Sequence, residues 1–248
     1  MSFKDHFSGH ANSYAAARPT YPESLFKYLA KLCSSNELAW DCATGNGQAA
    51  TGLSPYFNKV LATDASSEQI EQGQFKENLE YQVMPAENPD IADSSADLIT
   101  VAQAIHWFDI DKFFESTRRV LKADGVLAVW SYGLHEINPR CDEITAHLYS
   151  DIVGKYWPTE RCYVETRYQD IHFPFTNIES PSFEIICKWS AQDVLNYYHS
   201  WSAVQRYMAD KGSSPLELIE AEFVAAWDSE SQRDVRWPIS LHVSRKPA

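Results

Sequence analysis

Between residues 38 and 131 the chain alternates five short apolar, β-rich runs with stretches of helix-compatible composition. A chain patterned in this way buries its strands by laying helices across a mostly parallel sheet, so an α/β fold is expected. The predicted strands are 38–43, 59–64, 79–83, 96–102 and 125–131. Helices are predicted over 48–56 and over 66–78, the second capped by Ser66 or Ser67. A third runs over 109–122, where Ile110, Phe113, Phe114, Thr117, Val120 and Leu121 recur at helical spacing and Asp124-Gly125 supplies the stop. Beyond residue 131 the pattern changes to helices at 142–156, 191–199 and 215–227, interleaved with strands at 182–188 and 235–245. In the last strand Val235, Trp237, Ile239, Leu241 and Val243 alternate with polar or small residues, which predicts one better-buried face. Pro238 lacks a ladder donor, so that point is expected near an edge or a bulge. No repeat or low-complexity tract divides the chain, and the later helices are expected to cap the sheet.

Composition narrows the partners. A formal charge of −13 repels polyphosphate, and no run of lysine or arginine offsets it, so nucleic acid and anionic membrane surfaces are not expected partners. Cys33, Cys42, Cys141, Cys162 and Cys187 are odd in number and lack the short paired spacings of a zinc or redox site, so no metal is expected. The first residues mix charge with aromatics where a secretion signal needs an apolar stretch, and no window reaches membrane-spanning length. The expectation is a cytoplasmic enzyme of one domain.

Chemistry concentrates in Trp40-Asp41-Cys42-Ala43-Thr44-Gly45-Asn46-Gly47-Gln48, where a predicted strand opens into a glycine turn before a helix. Gly45 and Gly47 let backbone amides close around a ligand, and Asp41 offers a carboxylate to an ammonium group or to water. Taken alone, the stretch reads equally as a nucleotide site or as an ordinary tight turn. Asp64 closes the next strand, the position that faces a ribose in a doubly wound sheet, and Ala65 beside it leaves room for a flat base. Capping of the following helix is the other reading of Asp64.

Taken in order, these motifs resemble the class I S-adenosylmethionine-dependent methyltransferases, in particular the methyltransferase type 11 and trans-aconitate methyltransferase-like group. The likeness covers most of the chain and rests on residues 41–47, Asp64, Pro85-Ala86-Glu87, Ser95-Ala96-Asp97-Leu98-Ile99, Gln103-Ala104-Ile105-His106-Trp107-Phe108 and residues 119–125. The family usually has glycine where Ala43 stands, so Ala43 is expected at negative φ. The resemblance implies a doubly wound, seven-stranded, mostly parallel Rossmann-like sheet with an antiparallel C-terminal strand and a helical cap. Within one domain it implies a lid and first helix over 1–37, a cofactor core over 38–133, cap segments over 134–181 and 190–232, and final strands over 182–189 and 233–246.

The implied cofactor is S-adenosyl-L-methionine. Asp41, Ala43, Thr44, Gly45 and Gly47 fall at its methionine end, Asp64 and Ala65 at the ribose, Ala86 and Glu87 beside adenine, and Gln103 near the methionyl group. Tyr14 and Arg18 fall in a lid, where the guanidinium can pair with the methionine carboxylate. His106 is the candidate to orient an acceptor or take its proton; a histidine bonded beneath the cofactor loop is the other reading. Trp107, Trp130, Tyr132 and His135 are candidates for the pocket of a small-molecule methyl acceptor, which can be a carboxylate recognised by Arg140, Arg161, Arg167 or Arg206. Two further readings stay open: a non-catalytic sensor of S-adenosylmethionine, and a nicotinamide oxidoreductase, which would carry Ala50 at the third position of its glycine motif.

Overall fold

The computed structural model describes residues 19–248. Helix α1 (Glu23–Leu32) follows Pro22 and buries Leu25, Phe26, Leu29 and Ala30 along one stripe. Strand β1 (Leu38–Cys42) leads through the glycine turn into α2 (Gln48–Leu53), then β2 (Lys59–Asp64), the single-turn α3 (Ser67–Ile70), β3 (Leu79–Val83) and β4 (Ala96–Ala102). After α4 (Ile110–Val120), strand β5 (Leu121–Tyr132) begins without a loop. Asp124 takes φ 60° there, and the register with β4 shifts between Ala96 and Leu98, so Asp124-Gly125 shapes an irregular strand start instead of preceding the strand.

The sheet order is β3-β2-β1-β4-β5-β8, with the first five strands parallel and β8 (Arg233–Arg245) antiparallel to β5. Two strands, β6 (Thr176–Ile178) and β7 (Phe183–Trp189), follow each other along the far edge of β8. Ile239 pairs with both Tyr132 and Phe183, and Arg245 with both Val126 and Thr176, so eight strands occupy seven positions. Pro238 fits within this sheet because β5 pairing stops at Tyr132↔Ile239. Arg236 exchanges both backbone bonds with Glu136, and alternation points the Pro238 nitrogen into the gap between those two pairs.

Strand residues alternate between two buried faces. Ala39, Val60, Ala62, Leu98, Val126 and Ala128 pack toward α1 and α2, while Trp40, Leu61, Ile99, Leu127 and Val129 pack toward Phe113 and Phe114 of α4. The first face is extended by α5 (Pro139–Ala146), α7 (Ala191–His199), α8 (Ser202–Lys211) and α9 (Glu220–Trp227); the short α6 (Cys162–Glu165) adds Val164 to the second.

Several boundaries differ from expectation. The helix predicted over 66–78 is only α3, because Gly73 lies against the Tyr81 ring and the Gln74 amide donates to its hydroxyl, which pulls the chain out of helix. The helix predicted over 48–56 ends at Leu53. The one predicted over 142–156 is α5 followed by a π-helical turn (His147–Ile152) and a 3-10 turn (Gly154–Tyr156). The first residues of the helix predicted over 215–227 form a 3-10 turn (Pro215–Leu218). At the N-terminal edge of the sheet Asp97 is buried; it accepts the amides of Glu37 and Leu38 at 2.9 and 3.0 Å, the Ser35 hydroxyl, and the Lys122 ammonium at 2.7 Å. Among the described residues no helix is long and apolar enough to cross a membrane.

Candidate active site

Strand order reverses between β1 and β4, so the C-terminal ends of these neighbours flank the crevice where open α/β sheets hold ligands. The turn after β1 carries Ala43 at φ 53°, Gly45 at 58° and Gly47 at 84°. The expectation of negative φ at Ala43 is thus corrected: the turn keeps the left-handed geometry usual for glycine although the residue is alanine. What enforces it is the next strand, because the Thr44 amide donates to the Thr63 carbonyl and the Gly45 amide donates to Asp64 Oδ2, both at 2.9 Å. Gly47 has a second constraint, since a Cβ there would lie 2.1 Å from the Tyr81 hydroxyl.

Asp64 stands half-buried at the mouth of this turn, its other oxygen accepting the Ser66 amide at 2.9 Å, with exposed Ala65 alongside. Asp41 lies beneath. It is 1% exposed, with Oδ1 accepting the Thr100 hydroxyl at 2.6 Å and Oδ2 the Thr44 hydroxyl at 2.5 Å. Burial pushes its carboxyl up to about 6 against the opposing pull of the Thr100 and Thr44 hydroxyls, so at neutral pH an anion sits under the turn. Ala86 is buried, and Glu87 is tied to α4: its Oε1 accepts the Asp109 amide at 3.1 Å and its carbonyl accepts the Ser116 hydroxyl at 2.8 Å.

Across the crevice, Gln103 holds φ 58° while its amide donates to the Trp130 carbonyl and its Nε2 to the Tyr132 carbonyl, both at 2.9 Å. It therefore fastens the end of β4 to the end of β5. Beyond it opens a small cleft, open to solvent on one side. Gln103, His106 and Trp107 form one wall, Tyr132, Gly133 and Leu134 a second; Trp157, Pro158 and Arg161 face Tyr197, Trp201 and Ser202.

His106 is 9% exposed, and its Nδ1 lies 2.8 Å from the Tyr168 hydroxyl. Burial, with the Arg161 charge acting in the same direction, lowers the imidazole to about 4, so the ring is neutral at physiological pH. Tyr168 had no signal in the sequence. Arg167 and Tyr168 both adopt positive φ, 56° and 60°, and His242 donates to the Arg167 carbonyl at 2.7 Å, which turns the phenol under His106.

Two pocket candidates lie elsewhere. Trp130 is fully buried against Tyr21, and His135 is 3% exposed with Nε2 2.9 Å from the Tyr198 hydroxyl; neither lines the cleft, whereas Trp107 and Tyr132 do. Tyr14 and Arg18 lie outside the described residues. Of the four candidate arginines only Arg161 reaches the cleft. Of its neighbours, Tyr197 comes from the predicted helix α7, whereas Trp157 and Arg161 itself sit at short 3-10 turns that leave no periodic signal in the sequence.

The family profile described as a methyltransferase domain matches residues 40–129, the span from β1 to β5. A Dictyostelium discoideum protein named as a methyltransferase is 35% identical over 98% of this chain and 96% of its own length. The chain belongs to the class I S-adenosylmethionine-dependent methyltransferases. A solved structure from Anaeromyxobacter dehalogenans, described as a type II methyltransferase, superposes on this methyltransferase with a TM-score of 0.88 at 37% identity, covering 93% of this chain and 99% of that one. A Saccharomyces cerevisiae protein named for S-adenosylmethionine-dependent methyl transfer is 24% identical over 86% of this chain and 84% of its own.

Proposed function

We propose that this enzyme transfers a methyl group from S-adenosylmethionine to a small molecule bearing a carboxylate, which enters the aromatic cleft beside Gln103. One observation carries the reading. The glycine turn closed by Asp64 and the cleft lined by Gln103, His106 and Tyr132 lie at the same edge of the sheet, on the two sides of the strand reversal. The donor set suits the cofactor: a Cβ on Gly45 would meet nothing closer than Gln69 Oε1 at 3.7 Å, and the carboxylates of Asp41 and Asp64 complement a cationic nucleoside with two ribose hydroxyls.

Asp64 and Ala65 would hold the ribose, Ala86 and Glu87 the adenine edge, and Ala43, Thr44, Gly45, Gly47 and Gln103 the methionyl group over the buried Asp41 charge. Tyr14 and Arg18 are assigned to the lid in the same reading. When bound, the cofactor supplies a methyl carbon activated by its sulfonium. The protein supplies orientation and exclusion of water, through Trp107 and Tyr132 at the cleft wall. Trp130 and His135 act from behind it, as packing. His106, neutral and with its Nδ1 engaged by Tyr168, orients the acceptor through a hydrogen bond; an imidazole near 4 is a weak base at neutral pH. A cytoplasmic setting belongs to the same reading, supported by five unpaired cysteines.

The test is calorimetric titration with S-adenosylmethionine, paired with transfer of labelled methyl to a panel of carboxylic acids. Asp64→Ala is expected to weaken cofactor binding at least about tenfold, the scale of a lost charge-assisted hydrogen bond, with the circular dichroism spectrum retained. Unchanged affinity in that variant removes the ribose assignment. Methylation of neutral molecules alone removes the carboxylate acceptor.

A further inference from the structure

Among the described residues lining the cleft, Arg161 is the one with a fixed charge, and none of them is a carboxylate. In a chain with 34 acidic against 21 basic residues, a cleft with that balance stands against the composition. Arg161 is also held in place. Its Nε donates to the Tyr149 hydroxyl at 2.9 Å, and its guanidinium carbon lies 4.8 Å from the Trp157 ring centre and 5.6 Å from that of Tyr149. The Tyr149 hydroxyl in turn donates to Glu165 Oε1 at 2.8 Å, so a phenol stands between this arginine and that carboxylate. Among the described residues no acid lies within ion-pair distance of Arg161. With Nε engaged, the two terminal nitrogens remain as a planar fork.

We infer that Arg161 is the charge-selecting residue of the acceptor pocket, binding one carboxylate of the acceptor as a handle while a second nucleophilic group of the same molecule receives the methyl. This rests on the acceptor reading above and adds a division of labour to it. An oxygen pair locked in a guanidinium fork has its lone pairs committed to hydrogen bonds, so the handle is a poor nucleophile. The nucleophile therefore lies at the other end of the molecule, on the side of Gln103 and His106. A single positive charge among indoles and phenols matches one carboxylate; the second charge of a phosphate would be left without a partner in apolar surroundings. The neutral His106 leaves the field of Arg161 uncontested by a second cation, and Glu160, its chain neighbour, does not line the cleft. The acceptor class is a flat or compact organic acid with at least two functional groups.

The experiment has a binding arm and a turnover arm. Protein saturated with S-adenosylhomocysteine is titrated calorimetrically with fumarate, citrate and salicylate and with their neutral amides, in wild type, Arg161→Gln and Arg161→Lys. The same acids and amides are then offered with labelled S-adenosylmethionine. Expected are acid binding at least about tenfold tighter than amide binding, loss of that preference in Arg161→Gln, partial recovery in Arg161→Lys, and cofactor affinity unchanged in both variants. Equal binding of acids and amides by the wild type, absence of binding by every acid, or a preference surviving in Arg161→Gln overturns the inference. Arg161-dependent acid binding without methyl transfer keeps the anion site and overturns only the acceptor reading; methylation of the Arg161-bound carboxylate itself overturns the division of labour.

Discussion

At the scale of single residues, the crevice is built from backbone held where side chains are unwelcome. Ala43 directly follows β1 and Gln103 directly follows β4, the two strands that flank the reversal, and both are at positive φ. Each costs roughly 1–2 kcal/mol, and each is enforced by bonds to the neighbouring strand. The sequence announces the turn through Gly45 and Gly47, but it argues for negative φ at Ala43, which is wrong, and gives no sign of the turn at Gln103, because both conformations are imposed from Thr63, Trp130 and Tyr132. At position 43, Ala43→Gly is expected to leave stability within about 1 kcal/mol, relief of strain being offset by greater freedom of the unfolded chain. Ala43→Val should cost about 2 kcal/mol or more, since branching at Cβ sharpens the clash. Thermal unfolding of both variants checks this, and equal midpoints for glycine and valine would remove strain from the account.

At the scale of elements, what could be read from the sequence was what local rules decide. Helix α7 has its predicted bounds, and its start is fixed locally by the reciprocal cap of Ser190 and Asp193. Strands β1 to β4 lie within a residue of their predicted bounds because each is a run of five to seven residues, mostly apolar in β1, β2 and β4 and alternating apolar with polar in β3, set off by turn-forming residues. The signal fails where a distant side chain intervenes, as with Tyr81 against Gly73, or where short irregular turns assemble the cleft around Arg161. The Asp97 clamp belongs to this scale as well, since one carboxylate joins the start of β1 to β4 and to Lys122 on β5. Burial alone would raise that carboxyl, yet Lys122, Ser35 and the Leu38 amide hold it below the ordinary value. Asp97→Ala is expected to cost about 3 kcal/mol by urea unfolding while leaving cofactor affinity intact, because the clamp sits at the sheet edge opposite the crevice. A loss below about 1 kcal/mol would mean that the ends of these strands hold without it.

For the whole molecule, buried ionisable groups set the acid limit. His106 and His135 are both depressed from 6.5 to about 4, chiefly by burial, so between those values the unfolded chain binds protons that the fold refuses. Stability is fully present above about 6.5 and falls as the pH drops toward 4. Asp41 works in the other direction: raised from 3.8 to about 6, it takes up a proton in the fold over that window and offsets one of the two histidines. The net slope is about one proton, or about 1.4 kcal/mol per pH unit, and should steepen in Asp41→Asn. Urea unfolding between pH 4.5 and 7.5 measures it, and a wild type that gains stability as the pH falls below 6 would mean that the two imidazoles titrate normally and Asp41 alone is shifted. Strand β8 shapes a different property of the molecule. It seats between β5 and the β6–β7 edge, and pairing Tyr132 with Ile239 closes a loop of about a hundred residues before any hydrogen bond of that seam repays the lost chain entropy. The first five strands can gather early through neighbouring contacts, leaving an open, adhesive margin along β5 until the last strand arrives. That interval is when newly made copies are most prone to stick to one another, so recovery on refolding should depend steeply on protein concentration.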